Sequence, residues 1–148
     1  MIDAGTVALV QDVIRREGRS LLQYVREAYP WATPRERELL AKLRELTDEE
    51  QDGAAALSDF LRRNREMSGY LGSYPTSFAR MNFISLDRLL PLLVGEQRNG
   101  VARLEKTLAG VQNGEARGEL KAVLERKRRH LKSLEELAAL DTTPGTVR

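Results

Sequence analysis

The sequence predicts an all-α protein, a single-domain four-helix bundle with a long crossover between helices 2 and 3. The composition supports this class: hydrophobic residues make up 41% of the 148 residues, charged residues 31%, and aromatic residues only 5%. Such a composition favours helix over sheet. The spacing of the apolar residues and the lengths of the connections, described next, support it further.

Apolar residues recur at steps of three and four in four stretches of the chain, as they do along the buried face of a helix. The third stretch contains Pro91, which removes a backbone donor, so we expect a kink there. The four predicted helices cover about residues 3–29, 34–67, 85–111 and 116–140.

The connections between these helices favour a bundle. Thr33, Pro34 and Glu36 form a capping box with proline at the first helical position, a typical helix start. Residues 68–84 are rich in Gly, Pro, Ser and aromatic residues, too long for a tight hairpin, and we expect an ordered crossover. We therefore predict one domain over residues 1–140 and a loose tail over 141–148.

The composition also excludes several classes of function. The chain contains no cysteine, so disulfides and thiolate sites are excluded. No apolar run approaches the roughly 18 residues of a membrane span, and the N-terminus lacks the features of a signal peptide. The net charge of +2 provides no strong field. We expect a soluble cytoplasmic protein that binds neither nucleic acid nor membrane, and that forms a homodimer either through the aromatic crossover or through Trp31 near the first turn.

Polar residues interrupt the apolar stripe near the middle of each predicted helix. A single carboxylate of this kind is often a stripe-edge residue whose head reaches water. Four helices with such residues at the same depth favour a shared polar core instead, because isolated buried charges cost several kcal/mol unless they are paired or bind a metal. The interrupting residues are Glu17, Glu50, Glu96, Lys127 and His130.

At these positions the sequence resembles the ferritin-like superfamily, in the bacterioferritin and rubrerythrin style. The resemblance rests on the segments "REGRSLLQYV", "DEEQDGAAAL", "LVGEQRNGVARL" and "LERKRRHLKSLEEL", and it covers roughly residues 5–140. It implies that Glu17 is a terminal metal ligand, Glu50 a bridging carboxylate, and Glu96 and His130 further ligands. Tyr24 would be a phenol that supports the ligands without binding the metal.

The sequence departs from the family pattern at three positions. Gly53 stands where the family has its first ligand histidine, Lys127 where it has the second bridging glutamate, and Arg103 where relatives often have an aromatic residue. A standard di-iron centre therefore cannot be assembled. We expect the Lys127 ammonium to lie between Glu17 and Glu50 and to neutralise both carboxylates, as a metal would.

The remaining residues leave two hypotheses for function. In the first, the protein has a reduced or vestigial carboxylate centre and acts either as a weak single-metal site or as a structural or interaction module. Glu50, Glu96 and His130 then bind at most one iron, manganese or zinc ion, or none if Arg103 turns inward. The alternative is a working iron or manganese oxidoreductase or ferroxidase, in which Glu49 or Asp52 replaces the missing histidine. Both of those lie about 100° or more from the inward direction of the helix, which disfavours the alternative.

Overall fold

The computed structural model describes residues 2–28, 33, 34, 36–82 and 84–141, and within these ranges the chain is all-helical, without a strand. It forms five α-helices and one 3-10 helix, Thr76–Met81. The α-helices are α1, Ala4–Gly18; α2, Leu21–Ala28; α3, Arg37–Arg63; α4, Leu86–Ala109; and α5, Gly114–Asp141.

The single helix predicted over residues 3–29 is wrong, because the chain breaks into α1 and α2 at Arg19 and Ser20, directly after Gly18. Glycine weakens the helix interior, and a serine hydroxyl competes for backbone donors. The Ser20 hydroxyl accepts a hydrogen bond from the Gln23 N–H at 3.2 Å, and the Ser20 carbonyl accepts one from the Tyr24 N–H at 3.0 Å. Ser20 therefore acts as the N-cap that starts α2.

The reciprocal hydrogen bonds of the predicted capping box are present, but Pro34 is not the first helical residue and the helix starts three residues later than predicted. The Thr33 N–H donates to Glu36 Oε1 at 3.1 Å, and the Glu36 N–H donates back to Thr33 Oγ1 at 3.3 Å. Regular helix begins only at Arg37. The next helix, α4, starts after the Ser85 cap and continues through Pro91. The predicted tail lies outside the described residues except for Asp141, the last residue of α5.

The apolar core consists of two clusters, which we call the first and second core. The chain order shows the helix directions: α1 and α5 start in the first core, whereas α3 and α4 start in the second. The buried residues of the first core are Ile2, Val7, Val10, Val13, Ile14, Leu57, Phe60, Leu61, Leu104, Val111, Ala116, Leu120, Val123 and Leu124. Those of the second are Leu21, Leu22, Val25, Leu40, Leu43, Leu46, Phe78, Leu86, Leu89, Leu93, Val94 and Leu134.

Since α3 and α4 run in the same direction, the connection between them must return along the length of a helix. It does so beside α1 and α2. Arg19 Nε donates to the Gly72 carbonyl at 2.8 Å, and the rings of Tyr24 and Tyr74 lie edge to face with centroids 5.2 Å apart. The aromatic residues of this segment therefore hold it against the helices.

Candidate functional site

A layer of buried polar side chains separates the two cores. Each of α1 to α5 contributes to it: α3, α4 and α5 where their apolar residues pass from one core to the other, α1 near its end and α2 near its start. A buried polar layer of this kind has to satisfy most of its hydrogen bonds within the protein, because its side chains are largely shielded from bulk water. Its members are Glu17, Gln23, Thr47, Glu50, Gln97, Lys127 and His130.

Lys127 lies at the centre of the layer. Its ammonium nitrogen is 3.0 Å from Glu17 Oε2 and 3.3 Å from Glu17 Oε1, and it is 3.4 Å from Glu50 Oε2. All three side chains are buried, with no residue more than 6% exposed. The structure thus brings Lys127, Glu17 and Glu50 together from α5, α1 and α3 as one ion cluster.

The second oxygen of Glu50 is held by neutral donors. Glu50 Oε1 accepts a hydrogen bond from the Ser20 hydroxyl at 2.6 Å and one from Gln23 Nε2 at 2.9 Å. Gln23 Nε2 also donates to the Thr47 carbonyl at 2.9 Å, and Gln51 Nε2 donates to Gln23 Oε1 at 2.8 Å. The helix break positions Ser20 and Gln23 so that both can donate hydrogen bonds to the buried Glu50 carboxylate.

The cluster contains one ammonium and two carboxyl groups, so it has a net charge of −1 when all are ionised. Burial raises the pKa of Glu50 to about 7; Lys127 opposes this shift and the Glu17 carboxylate adds to it. Burial disfavours the charged Lys127, but Glu17 and Glu50 outweigh that effect and raise the pKa of Lys127 above its usual value. Lys127 therefore stays charged, and Glu50 gains or loses a proton near neutral pH.

His130 does not join the ion cluster. Its Nε2 lies 2.9 Å from Glu49 Oε1, and the Glu49 side chain is 55% exposed. Burial lowers the pKa of His130, and its hydrogen bond with Glu49 opposes that shift. His130 is consequently a neutral imidazole at neutral pH that bonds to a carboxylate at the surface.

The other residues expected at the site make no hydrogen bond or ion pair with the cluster. Glu96 and Arg103 are exposed residues on α4. The Tyr24 hydroxyl donates a hydrogen bond to Asn82 Oδ1, and its ring packs against Tyr74 and Phe78. Across the described residues, no group of three or more His, Cys, Asp or Glu side chains is arranged to hold a metal. The predicted set of Glu50, Glu96 and His130 is thus not assembled.

Two glycines allow the helices to approach closely at the layer. A Cβ added at Gly100 would lie 2.7 Å from Lys127 Cε, so Gly100 leaves the space that the lysine stem occupies. A Cβ added at Gly53 would lie 3.1 Å from Arg126 Nη1, which donates to the Glu49 carbonyl at 2.9 Å. The position that the family resemblance assigns to a histidine is therefore covered by Arg126.

A cavity of about 310 Å³ opens beside the ion cluster. Glu17, Lys127 and Gln97 lie at its buried end, Leu93 and Phe78 form apolar walls, and Arg103 is exposed at its outer side. Lys127 and Glu17 are thus buried but line a partly open cavity. That space connects the polar layer with the surface of α4.

Several members of the layer were not predicted from the sequence. Gln97 Nε2 donates to the Lys127 carbonyl at 3.0 Å, whereas its neighbour Glu96 was expected to point inward. Glu96 lies three residues after Leu93 and Gln97 four, so helical spacing from Leu93 allows either residue to point inward. Counting back seven positions from Leu104 selects Gln97. The inward position of Ser20 and Gln23 was harder to predict. The sequence predicted one continuous helix, and only the break in that helix turns both side chains inward.

The chain matches no protein-family model, no curated protein and no solved structure. Among the described helices, none is both long and apolar enough to cross a membrane. What this site does is therefore inferred from its own geometry.

Proposed function

We propose that the chain is a ferritin-like four-helix bundle with a vestigial carboxylate centre, in which Lys127 takes the place of a metal ion. The α1–α2 arm counts as the first helix, α3 as the second, and the segment 64–85 as the crossover. The protein then works as a structural or binding module without the redox chemistry of a di-iron enzyme. The sequence resemblance supports the family assignment. The ion cluster of Lys127, Glu17 and Glu50 supports the replacement of the metal by an ammonium group.

The observation that carries this proposal is the position of the Lys127 ammonium, 3.0 Å from one Glu17 oxygen and 3.4 Å from one Glu50 oxygen. A lysine supplies charge and three N–H donors, but it is neither a Lewis acid nor a redox centre. The residues present do not fit a di-iron centre, because this ammonium stands between the two carboxylates that would ligate the metals.

The alternative of an oxidoreductase with substitute ligands is less well supported. Glu49 is bonded to His130, and Asp52 is exposed on α3. Neither belongs to the cluster around Lys127. The expected homodimer remains a prediction: Tyr70 and Met67 of the connecting segment are 88% and 80% exposed, and they provide an apolar surface for it.

The proposal is tested by removing the cation and supplying a metal. Lys127→Ala leaves two buried carboxylates without a counter-charge, so Mn²⁺ or Co²⁺ should raise the unfolding temperature of this variant by several degrees. The wild type should show no such shift. Lys121→Ala, at an exposed lysine of the same helix, is the matched control.

If Lys127→Ala does not fold, metal content still decides the matter. Mass spectrometry of wild-type protein prepared without chelators should find fewer than two metal ions per chain. Two irons per chain, with oxygen-dependent oxidation of ferrous iron, would overturn the proposal.

A further inference from the structure

We infer that the cavity beside the ion cluster binds a small organic carboxylate with an apolar body. This inference goes beyond the proposed function and does not depend on it, because it rests on the shape and charge of the cavity alone. The volume of about 310 Å³ lies at the lower end of the range typical of small-molecule sites. A medium-chain fatty acid such as octanoate is of suitable size.

The walls suit an apolar body. Leu93, Phe78, Leu22 and Leu134 line the cavity, and each is at most 8% exposed. They come from α2, α4, α5 and the crossover segment, so apolar side chains surround the space from several sides. A buried acyl chain or ring there would gain about 25 cal/mol for each Å² of apolar surface that leaves water.

The charges at the cavity favour an anion. Its lining includes five basic residues but only two acidic ones, Glu17 and Glu96. Arg15 and Arg16 both pair with Asp12, and Lys127 is engaged by Glu17 and Glu50. These basic residues are largely neutralised by their carboxylate partners. The excess positive charge therefore comes from Arg19 and Arg103.

The guanidinium groups of Arg19 and Arg103 have N–H groups that can donate hydrogen bonds to a ligand. Arg19 uses two N–H groups on the carbonyls of Gly72 and Gly18, at 2.8 Å and 3.1 Å, and pairs with no carboxylate of the described chain. Arg103 makes neither a hydrogen bond nor an ion pair through its side chain within those residues. A guanidinium is suited to bind a carboxylate through two parallel hydrogen bonds.

Glu96 does not cancel this preference. It lies seven residues before Arg103 on α4, which separates their backbones by about 10 Å along the helix axis. A carboxylate bound by Arg103 can thus lie away from Glu96, with the apolar body directed toward Leu93 and Phe78. The buried Lys127–Glu17 pair then closes the inner end of the site.

The test titrates the full-length protein with octanoate and follows the backbone amides by NMR. We expect saturable shifts at residues that line the cavity, including Gln97 and Gly100, and binding about tenfold weaker in Arg103→Gln, since a charge-assisted hydrogen bond is lost. Lys106→Gln makes the same charge change on the same helix at an exposed lysine outside the lining and should bind as the wild type does. Octylamine and 1-octanol, which share the apolar body, should bind about tenfold more weakly than octanoate.

Three results would overturn the inference: no saturable binding of octanoate, equal binding of octanoate and octylamine, or the same affinity in Arg103→Gln and Lys106→Gln. Each is independent of the metal content of the wild type, so this inference and the proposed function can fail separately. Backbone spectra of both variants show directly whether they are folded.

Discussion

The free energy of unfolding should depend on pH, because folded and unfolded Glu50 bind a proton with different affinity. Replacing Glu50 by glutamine should remove most of this pH dependence. Burial raises the pKa of Glu50 from 4.5 to about 7, so the folded protein holds this proton more tightly than the unfolded chain. The stability gained from protonated Glu50 is fully present below about pH 4.5 and is lost as the pH rises through about 7. At about 1.4 kcal/mol per pKa unit, the loss amounts to about 3 kcal/mol.

Glutamine keeps the shape of the side chain and an oxygen that accepts from Ser20 and Gln23, but it does not titrate. Urea unfolding measured from about pH 5 to about pH 8.5 should therefore show a free energy of unfolding that falls with pH less steeply in Glu50→Gln than in the wild type. Glu45→Gln, at an exposed glutamate of α3, is the control and should keep the wild-type slope.

His130 contributes with the opposite sign. Its pKa is lowered, so the stability it provides is present above about pH 6.5 and is lost as the pH falls toward its folded pKa. Because His130 is present in the wild type and in Glu50→Gln alike, its contribution cancels from their difference. An identical pH slope in these two proteins would refute the reasoning on the buried cluster.

Three further results are expected. Lys127→Met should lower the free energy of unfolding by about 3–5 kcal/mol at neutral pH, because two buried acids lose their counter-charge; urea unfolding measures this. Gly100→Ala should destabilise the protein, since its Cβ would lie 2.7 Å from Lys127 Cε, whereas Gly95→Ala on the same helix meets nothing within 4 Å and should stabilise it by about 0.5–1 kcal/mol. In an NMR titration the His130 imidazole should have a pKa below about 6.5, and Glu49→Gln should lower it further by removing the carboxylate charge that helps to raise it.

The parts of the fold that depend on repeated local patterns were predictable. Steps of three and four located the long helices, and the Thr33–Glu36 box indicated the start of one of them to within three residues. The depth of Glu17, Glu50 and Lys127 in their helices also indicated that they meet, because helix length fixes the level of a residue in an antiparallel pair. Because these three residues lie at the same level of the helices, the contact of Lys127 with both carboxylates could be predicted.

The remainder depended on choices that the sequence leaves open. Glu96 and Gln97 both satisfy helical spacing from Leu93, and only the spacing of seven residues back from Leu104 favours Gln97. The break before Ser20 arises from a competition between one hydroxyl and the helix backbone, which differ little in energy. The hydrogen bond between His130 and Glu49 depends on the long side chain of Glu49, which extends from an exposed position on α3 to the buried imidazole. The position of Glu49 around the helix therefore did not predict this contact.

The central claim, that Lys127 takes the place of a metal between Glu17 and Glu50, is tested most directly by anomalous diffraction from crystals grown with Mn²⁺. The account predicts electron density for the lysine ammonium at hydrogen-bonding distance from both carboxylates, and no anomalous peak between them. An anomalous peak ligated by Glu17 and Glu50, with Lys127 turned away, would contradict it.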